Sequence, residues 1–302
     1  MTRDPRDDAS PAENDGLPLV ARDGHRFRLL TRAPDAPVAS LLWLPALGVA
    51  ARHYLPFAEA LQARGIAVFV HEWRGHGSSD LRAGRDADWG YRELLESDLP
   101  ASADGVADVW PALPRIVGGH SLGGQLAAGL RALRPDVAQR LWLAASGAPD
   151  WRAFPPPRRW MLPLAYRFLA WLADRNGALP GRAIGFGGRE ARGVMRDWSR
   201  TGLSGRYAGA GMARDLETAL ADVAVPVEAV LFEDDWLAPR ASLDTLLGKL
   251  RPASLRCETL DRTTLGIRAD HFAWMRRPEA VAAAFADPMR NIDAASASQP
   301  ST

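Results

Sequence analysis

The chain is 302 residues long and 47% hydrophobic, enough to bury a sizeable core in one domain with an insertion or in two small domains. A formal net charge of +1 excludes a general electrostatic pull toward nucleic acid or anionic lipid. No apolar run reaches the length of a membrane span; the nearest, residues 160–173, carries Arg167, so no stable membrane association is expected.

Residues 1–16 are acidic, polar and proline-bearing, without the apolar stretch of a secretory signal, and read as a disordered tail. Residues 17–21 and 25–31, joined across Asp23-Gly24, read as a β-hairpin. The almost unbroken apolar run 38–44 predicts a strand buried on both faces. Helical spacing over 54–63, closed by Gly65, leads to a second buried strand at 66–71. The loop Glu72-Trp73-Arg74-Gly75-His76-Gly77-Ser78-Ser79 follows. Residues 91–110 carry a helical pattern that Pro100 should kink, and 116–118 and 141–145 read as strands.

Residues 151–222 lack a clear strand pattern and are far too long for a plain loop, which predicts a folded, helical insertion over 150–222. Alternation resumes with a strand at 225–232, a helix at 241–250, a strand at 255–260 and a helix at 278–286. Strands alternating with helices predict an α/β fold, its mostly parallel sheet flanked by helices and built from residues 17–149 and 223–290. Ligands of such sheets sit beyond the carboxyl ends of the strands. Residues 291–302, rich in Ala and Ser, read as a second disordered tail. The single cysteine, Cys257, excludes an internal disulfide and fits a cytoplasmic setting; in its strand it reads as a small buried hydrophobe.

The chemistry concentrates in Gly118-Gly119-His120-Ser121-Leu122-Gly123-Gly124. A strand that reverses sharply into a helix forces Ser121 into a strained conformation, and Gly119 and Gly123 have no Cβ to clash there. The turn lifts the hydroxyl above the sheet, while the helix N-terminus aims its amides at the reacting atom.

A serine hydroxyl is a weak nucleophile and needs a histidine base oriented by a carboxylate. Of the histidines at 25, 53, 71, 76, 120 and 271, only His271 lies past a late strand and before a closing helix. The turn Glu233-Asp234-Asp235-Trp236-Leu237-Ala238-Pro239 offers two aspartates, either of which can serve. The resulting chain order is serine, acid, histidine.

With the loop Arg74-Gly75-His76-Gly77-Ser78 and the segments His271-Phe272 and Pro278-Glu279, these motifs resemble the α/β-hydrolase superfamily over most of residues 17–290. Pro45-Ala46-Leu47-Gly48-Val49, followed by Tyr54, Phe57 and Ala58, further resembles a bacterial subgroup of lidded hydrolases. The superfamily pattern places the acid four residues before a proline, which favours Asp235 over Asp234. Two departures stand out: Leu44-Pro45 replaces the usual His-Gly, and Phe232 replaces the glycine before the acid turn. The expected oxyanion donors are the amides of Leu122, which follows the nucleophile, and of Ala46; Pro45 has no N–H, and Leu47 is the fallback.

Leu47, His120, Trp236 and Trp160 are the expected substrate-lining residues. The insertion's aromatics (Trp151, Trp160, Trp171, Trp198, Tyr166, Phe168 and Phe186) should roof an apolar pocket and also pack among themselves. The helix over 160–173 could touch a lipid interface, as lipase lids do, but is expected to pack on the body. His76 reads as part of a structural turn, Asp98 as a helix-surface or capping carboxylate, and Glu228 as facing solvent or an arginine. Arg152, Arg158 and Arg159 read as solvated charge. No His/Cys cluster has metal-ligand spacing, and no cofactor is required.

The resemblance implies a serine hydrolase acting on an ester or thioester of an apolar small molecule. A serine rather than aspartate nucleophile argues against haloalkane or epoxide chemistry. The same triad would serve an acyltransferase, or an amide or carbon–carbon hydrolase. A non-catalytic ligand-binding protein on this scaffold is the rival from another class.

Overall fold

Eight strands share one sheet in the computed structural model, which describes residues 16–287. The tail expectations for 1–15 and 291–302 fall outside that range; Gly16 is no tail residue, since it pairs with Leu30. The strands are β1 (Gly16–Val20), β2 (Arg26–Arg32), β3 (Ala39–Leu44), β4 (Ile66–Val70), β5 (Arg115–His120), β6 (Arg140–Ala144), β9 (Pro226–Phe232) and β10 (Ser254–Leu260). Their order is β1-β2-β4-β3-β5-β6-β9-β10. β1 and β2 form the expected antiparallel hairpin, turned by Gly24 at φ +88°, and β2 meets β4 antiparallel; the remaining pairs are parallel.

Period-two alternation sorts the side chains into two cores. Along β3, Leu42 and Leu44 enter one core with Leu95, Leu99, Leu122 and Leu126. Ala39, Leu41 and Trp43 enter the other with Phe57, Leu61, Trp142, Trp274 and Phe285. Every residue of β3 and β4 is buried, as expected for strands covered by helices on both sides. The strand order reverses at β3, which lies between β4 and β5. The crevice beyond the ends of β3 and β5 is therefore the fold's natural ligand position.

Two local differences from the sequence reading have physical causes. The helical segment from Tyr91 to Val109 does not simply kink at Pro100; it widens into a π-helical turn over Leu94–Asp98 just before it. A proline lacks the N–H and clashes with the carbonyl four residues back, and a wider turn accommodates both. The segment between β6 and β9 contains the helices Arg158–Asn176 and Arg192–Ser204, but also a small antiparallel hairpin of β7 (Ala178–Pro180) and β8 (Arg189–Ala191). Strands of three residues leave no readable period. Leu169, Ala173, Leu179 and Met195 give this insertion its own small core.

Candidate active site

β5 ends at His120 and the helix Leu122–Leu133 begins at Leu122, leaving Ser121 alone at the corner with φ +55° and ψ −120°. A non-glycine residue is strained there, and surrounding contacts must hold it. Ser121 N–H donates to the Ala144 carbonyl at 3.0 Å, and Ser146 Oγ donates to the Ser121 carbonyl at 2.7 Å. A Cβ on Gly119 would lie 2.3 Å from the Gly123 carbonyl carbon, and one on Gly123 would lie 2.1 Å from the Leu44 carbonyl oxygen. Both positions therefore require glycine. Ser121 is half-buried while the residues on both sides of it are buried.

The acid turn after β9 and the loop after β10 are tied together, because Asp234 N–H donates to the Ala269 carbonyl at 2.8 Å. This brings Asp235 to His271: Nδ1 and Oδ2 are 2.8 Å apart. The carboxylate's other oxygen accepts from the amides of Leu237 at 2.8 Å and Ala238 at 3.2 Å. A carboxylate only accepts, so the imidazole carries its proton on Nδ1 and leaves Nε2 with an open lone pair. Asp234 turns away to Arg262, 3.2 Å from its guanidinium. His271 packs against the elbow, its ring centroid 4.7 Å from that of His120.

Residues 35–187, just over half of the chain, match the family described as serine aminopeptidase, S33. The chain belongs to this family of α/β-hydrolases. The enol-lactonase of Burkholderia xenovorans shares its fold at 19% identity and TM-score 0.58, covering 90% of this chain and 100% of that one. The monoacylglycerol lipase of Paleococcus ferrophilus does so at 16% identity and TM-score 0.57, covering 86% and 99%. The N-formylmaleamic acid deformylase of Pseudomonas putida does so at 18% identity and TM-score 0.56, covering 89% and 98%.

In this hydrolase the loop after β3 departs from expectation. Ala46 N–H, an expected oxyanion donor, is already engaged: it donates to Tyr54 Oη at 2.9 Å, in a buried site. Tyr54 Oη in turn meets His120 Nδ1 at 2.8 Å. With its oxygen accepting from Ala46, the phenol donates to His120. Leu47 N–H has no partner among the described residues, nor has the first amide of the elbow helix, Leu122. Of the two loop amides, Ala46 is therefore committed to Tyr54 and Leu47 is uncommitted. Gly48, at φ +76°, fixes the loop: a Cβ there would fall 2.1 Å from the Gly188 nitrogen of the insertion hairpin.

His120 is also not a substrate-lining residue. It is fully buried behind the elbow, edge-on to Trp274, and burial, then the nearby His271, holds its pKa well below the ordinary value. Leu47 is half-buried and packs against the insertion's core. Trp236 and Trp160 are exposed, and Arg158 is not free charge: its guanidinium lies 5.0 Å from the Trp236 ring. Glu228 has the expected arginine, Arg140, at 2.6 Å.

Sequence reasoning missed a second serine–histidine–aspartate chain. Ser79 Oγ lies 2.8 Å from His25 Nε2, and His25 Nδ1 lies 2.9 Å from Asp98 Oδ1. Asp98 also takes two bonds from Arg74, at 2.9 and 2.6 Å. So Asp98 is not a surface or capping carboxylate but the buried hub joining the β1–β2 hairpin, the Arg74–Ser79 loop and the π-turn. All three members are buried and no reactant reaches them, so the pattern is structural. Its signal was available: helical spacing puts Asp98 on the same face as Leu94, Leu95 and Ser102. His76 meets Glu190 of β8 at 3.4 Å, fastening the insertion to the body.

Proposed function

We propose that this hydrolase cleaves a carboxylic ester or thioester of an apolar small molecule through an acyl-enzyme on Ser121. His271 Nε2 takes the Ser121 proton as Oγ attacks the carbonyl carbon. The amides of Leu122 and Leu47 stabilise the oxyanion, each such donor being commonly worth about 10²–10³ in rate. Collapse expels the alcohol or thiol, protonated by His271. Water, deprotonated by the same nitrogen, then releases the acid. Asp235 keeps the imidazole in the Nδ1–H tautomer and stabilises its cation throughout.

One combination supports the reading: a half-buried serine held at φ +55° at the elbow, and an imidazole packed against the elbow's His120, ring centroids 4.7 Å apart, with its Nδ1 anchored to a buried carboxylate at 2.8 Å. Trp236 and Phe272 directly follow Asp235 and His271 in the chain, Phe272 packs edge-on against His271, and Leu47 is apolar, which together support an apolar acyl or alcohol part. The insertion, pinned to the oxyanion loop at Gly48, serves as the lid. A panel of p-nitrophenyl esters of increasing chain length, with a thioester, a peptide amide and an added alcohol acceptor, tests the assignment. The expected result is kcat/KM rising with chain length, little amide cleavage and no transfer to the alcohol. Preferential amide cleavage or ester product with the alcohol would contradict it.

A further inference from the structure

The helix Arg158–Asn176 buries one face and leaves the opposite one uncovered. Tyr166, Leu169 and Ala173 point into the protein. Trp160, Met161, Leu164, Phe168 and Trp171 are 65, 64, 71, 51 and 57% exposed. At 3.6 residues per turn these five fall within an arc of about 100°, diametrically opposite the buried three. The expectation that this helix packs on the body holds for only half of its circumference. Contiguous exposed apolar surface of this kind marks an interaction site.

The charges around the stripe identify the occupant. Arg158, Arg167 and Arg175 are exposed on the same helix, and none has a carboxylate partner among the described residues. The helix's one acid, Asp174, is held by Arg196 at 2.7 Å. A second copy of the chain docking isologously would set these arginines against one another. An anionic lipid surface would take both features at once, tryptophan and leucine entering the headgroup boundary and arginines meeting phosphates. No described helix is long and apolar enough to cross a membrane, so the contact is peripheral.

We infer that the outer face of the Arg158–Asn176 helix adsorbs reversibly to anionic lipid–water interfaces. At the N-terminal end of this helix Arg158 stacks on Trp236, the residue after Asp235. The net charge of +1 conceals this local concentration of cations.

Flotation of the full-length Ser121→Ala chain with vesicles of phosphatidylcholine alone, or mixed with phosphatidylglycerol, tests the surface separately from catalysis. The expected result is association with the mixed vesicles only, weakened by high salt. A Trp160→Ser/Leu164→Ser/Phe168→Ser variant should lose it at unchanged melting temperature, because all three side chains are exposed. Arg167→Gln/Arg175→Gln should lower partitioning roughly tenfold or more. Equal binding to both vesicles, binding to neither, or a concentration-dependent dimer abolished by the triple substitution would overturn the inference.

Discussion

His271 Nδ1 lies 2.8 Å from Asp235 Oδ2, while the other Asp235 oxygen is pinned by two backbone amides. Neither the tautomer nor the ring orientation is therefore free. Asp235→Asn would present an NH₂ to Nδ1 and favour the wrong tautomer, lowering kcat by about 10⁴. Asp234→Asn, which touches only Arg262 through its side chain, should leave kcat within about twofold, since an exposed ion pair contributes little. Steady-state kinetics on one p-nitrophenyl ester compares the two.

Tyr54 links the loop after β3 to the elbow through Ala46 N–H and His120 Nδ1. Tyr54→Phe would strand two buried polar groups and should cost about 1–3 kcal/mol, read as a lower urea midpoint. Because the loop that carries Leu47 loses its tether, kcat should fall while KM changes less. An unchanged midpoint would show that the bridge contributes nothing.

Gly123 leaves no room for a methyl group against the Leu44 and Pro45 carbonyls, 2.1 and 2.5 Å from where its Cβ would stand. Both obstacles are backbone and cannot swing aside. Gly123→Ala should destabilise the fold by about 1–3 kcal/mol or more and misplace the nucleophile. Calorimetry with single-turnover kinetics would detect both losses together.

The contrast between these sites explains what was legible beforehand. The corner at Ser121 and the position of His271 were legible because a strand–turn–helix corner and a histidine after the last strand are local patterns. That the Ala46 amide bonds Tyr54 while the Leu47 amide stays uncommitted depends on which way one peptide faces. That is set by Tyr54 and by Gly188, more than a hundred residues away, and no local pattern carries it. Asp98 was misread for the opposite reason. Its helical spacing was visible, but a carboxylate on an apolar face becomes intelligible only once Arg74 and His25 reach it. The outward stripe on the insertion helix was likewise hidden, since sequence shows that a helix is apolar all round but not which side finds a partner.

Stability should fall with acid in a defined window. Burial, the dominant cause, pushes the His71 pKa down to about 3, so the folded protein keeps it neutral while the unfolded chain protonates near 6.5. Between those values the unfolded state binds one more proton, and each pH unit of acidification costs about 1.4 kcal/mol. For Asp98, burial alone would raise the carboxyl, but bonds from His25 and Arg74 outweigh it and hold the pKa below the usual range. Its stabilisation is present above about pH 4 and is lost as pH falls further. His76 works in the other direction. Burial would lower it, yet Glu190 and Glu72 raise it, so its contribution fades as pH rises past its folded pKa. Urea midpoints from pH 7 to 4 should decline, and His71→Gln should flatten the slope by about one proton.

The central claim is that Ser121 Oγ is the nucleophile, and covalent labelling addresses it most directly. Intact-mass and peptide analysis after treatment with a fluorophosphonate should show one adduct, on Ser121, in the wild type and none in Ser121→Ala. An adduct that persists in the variant, or that forms on Ser79 or Cys257, would contradict the assignment.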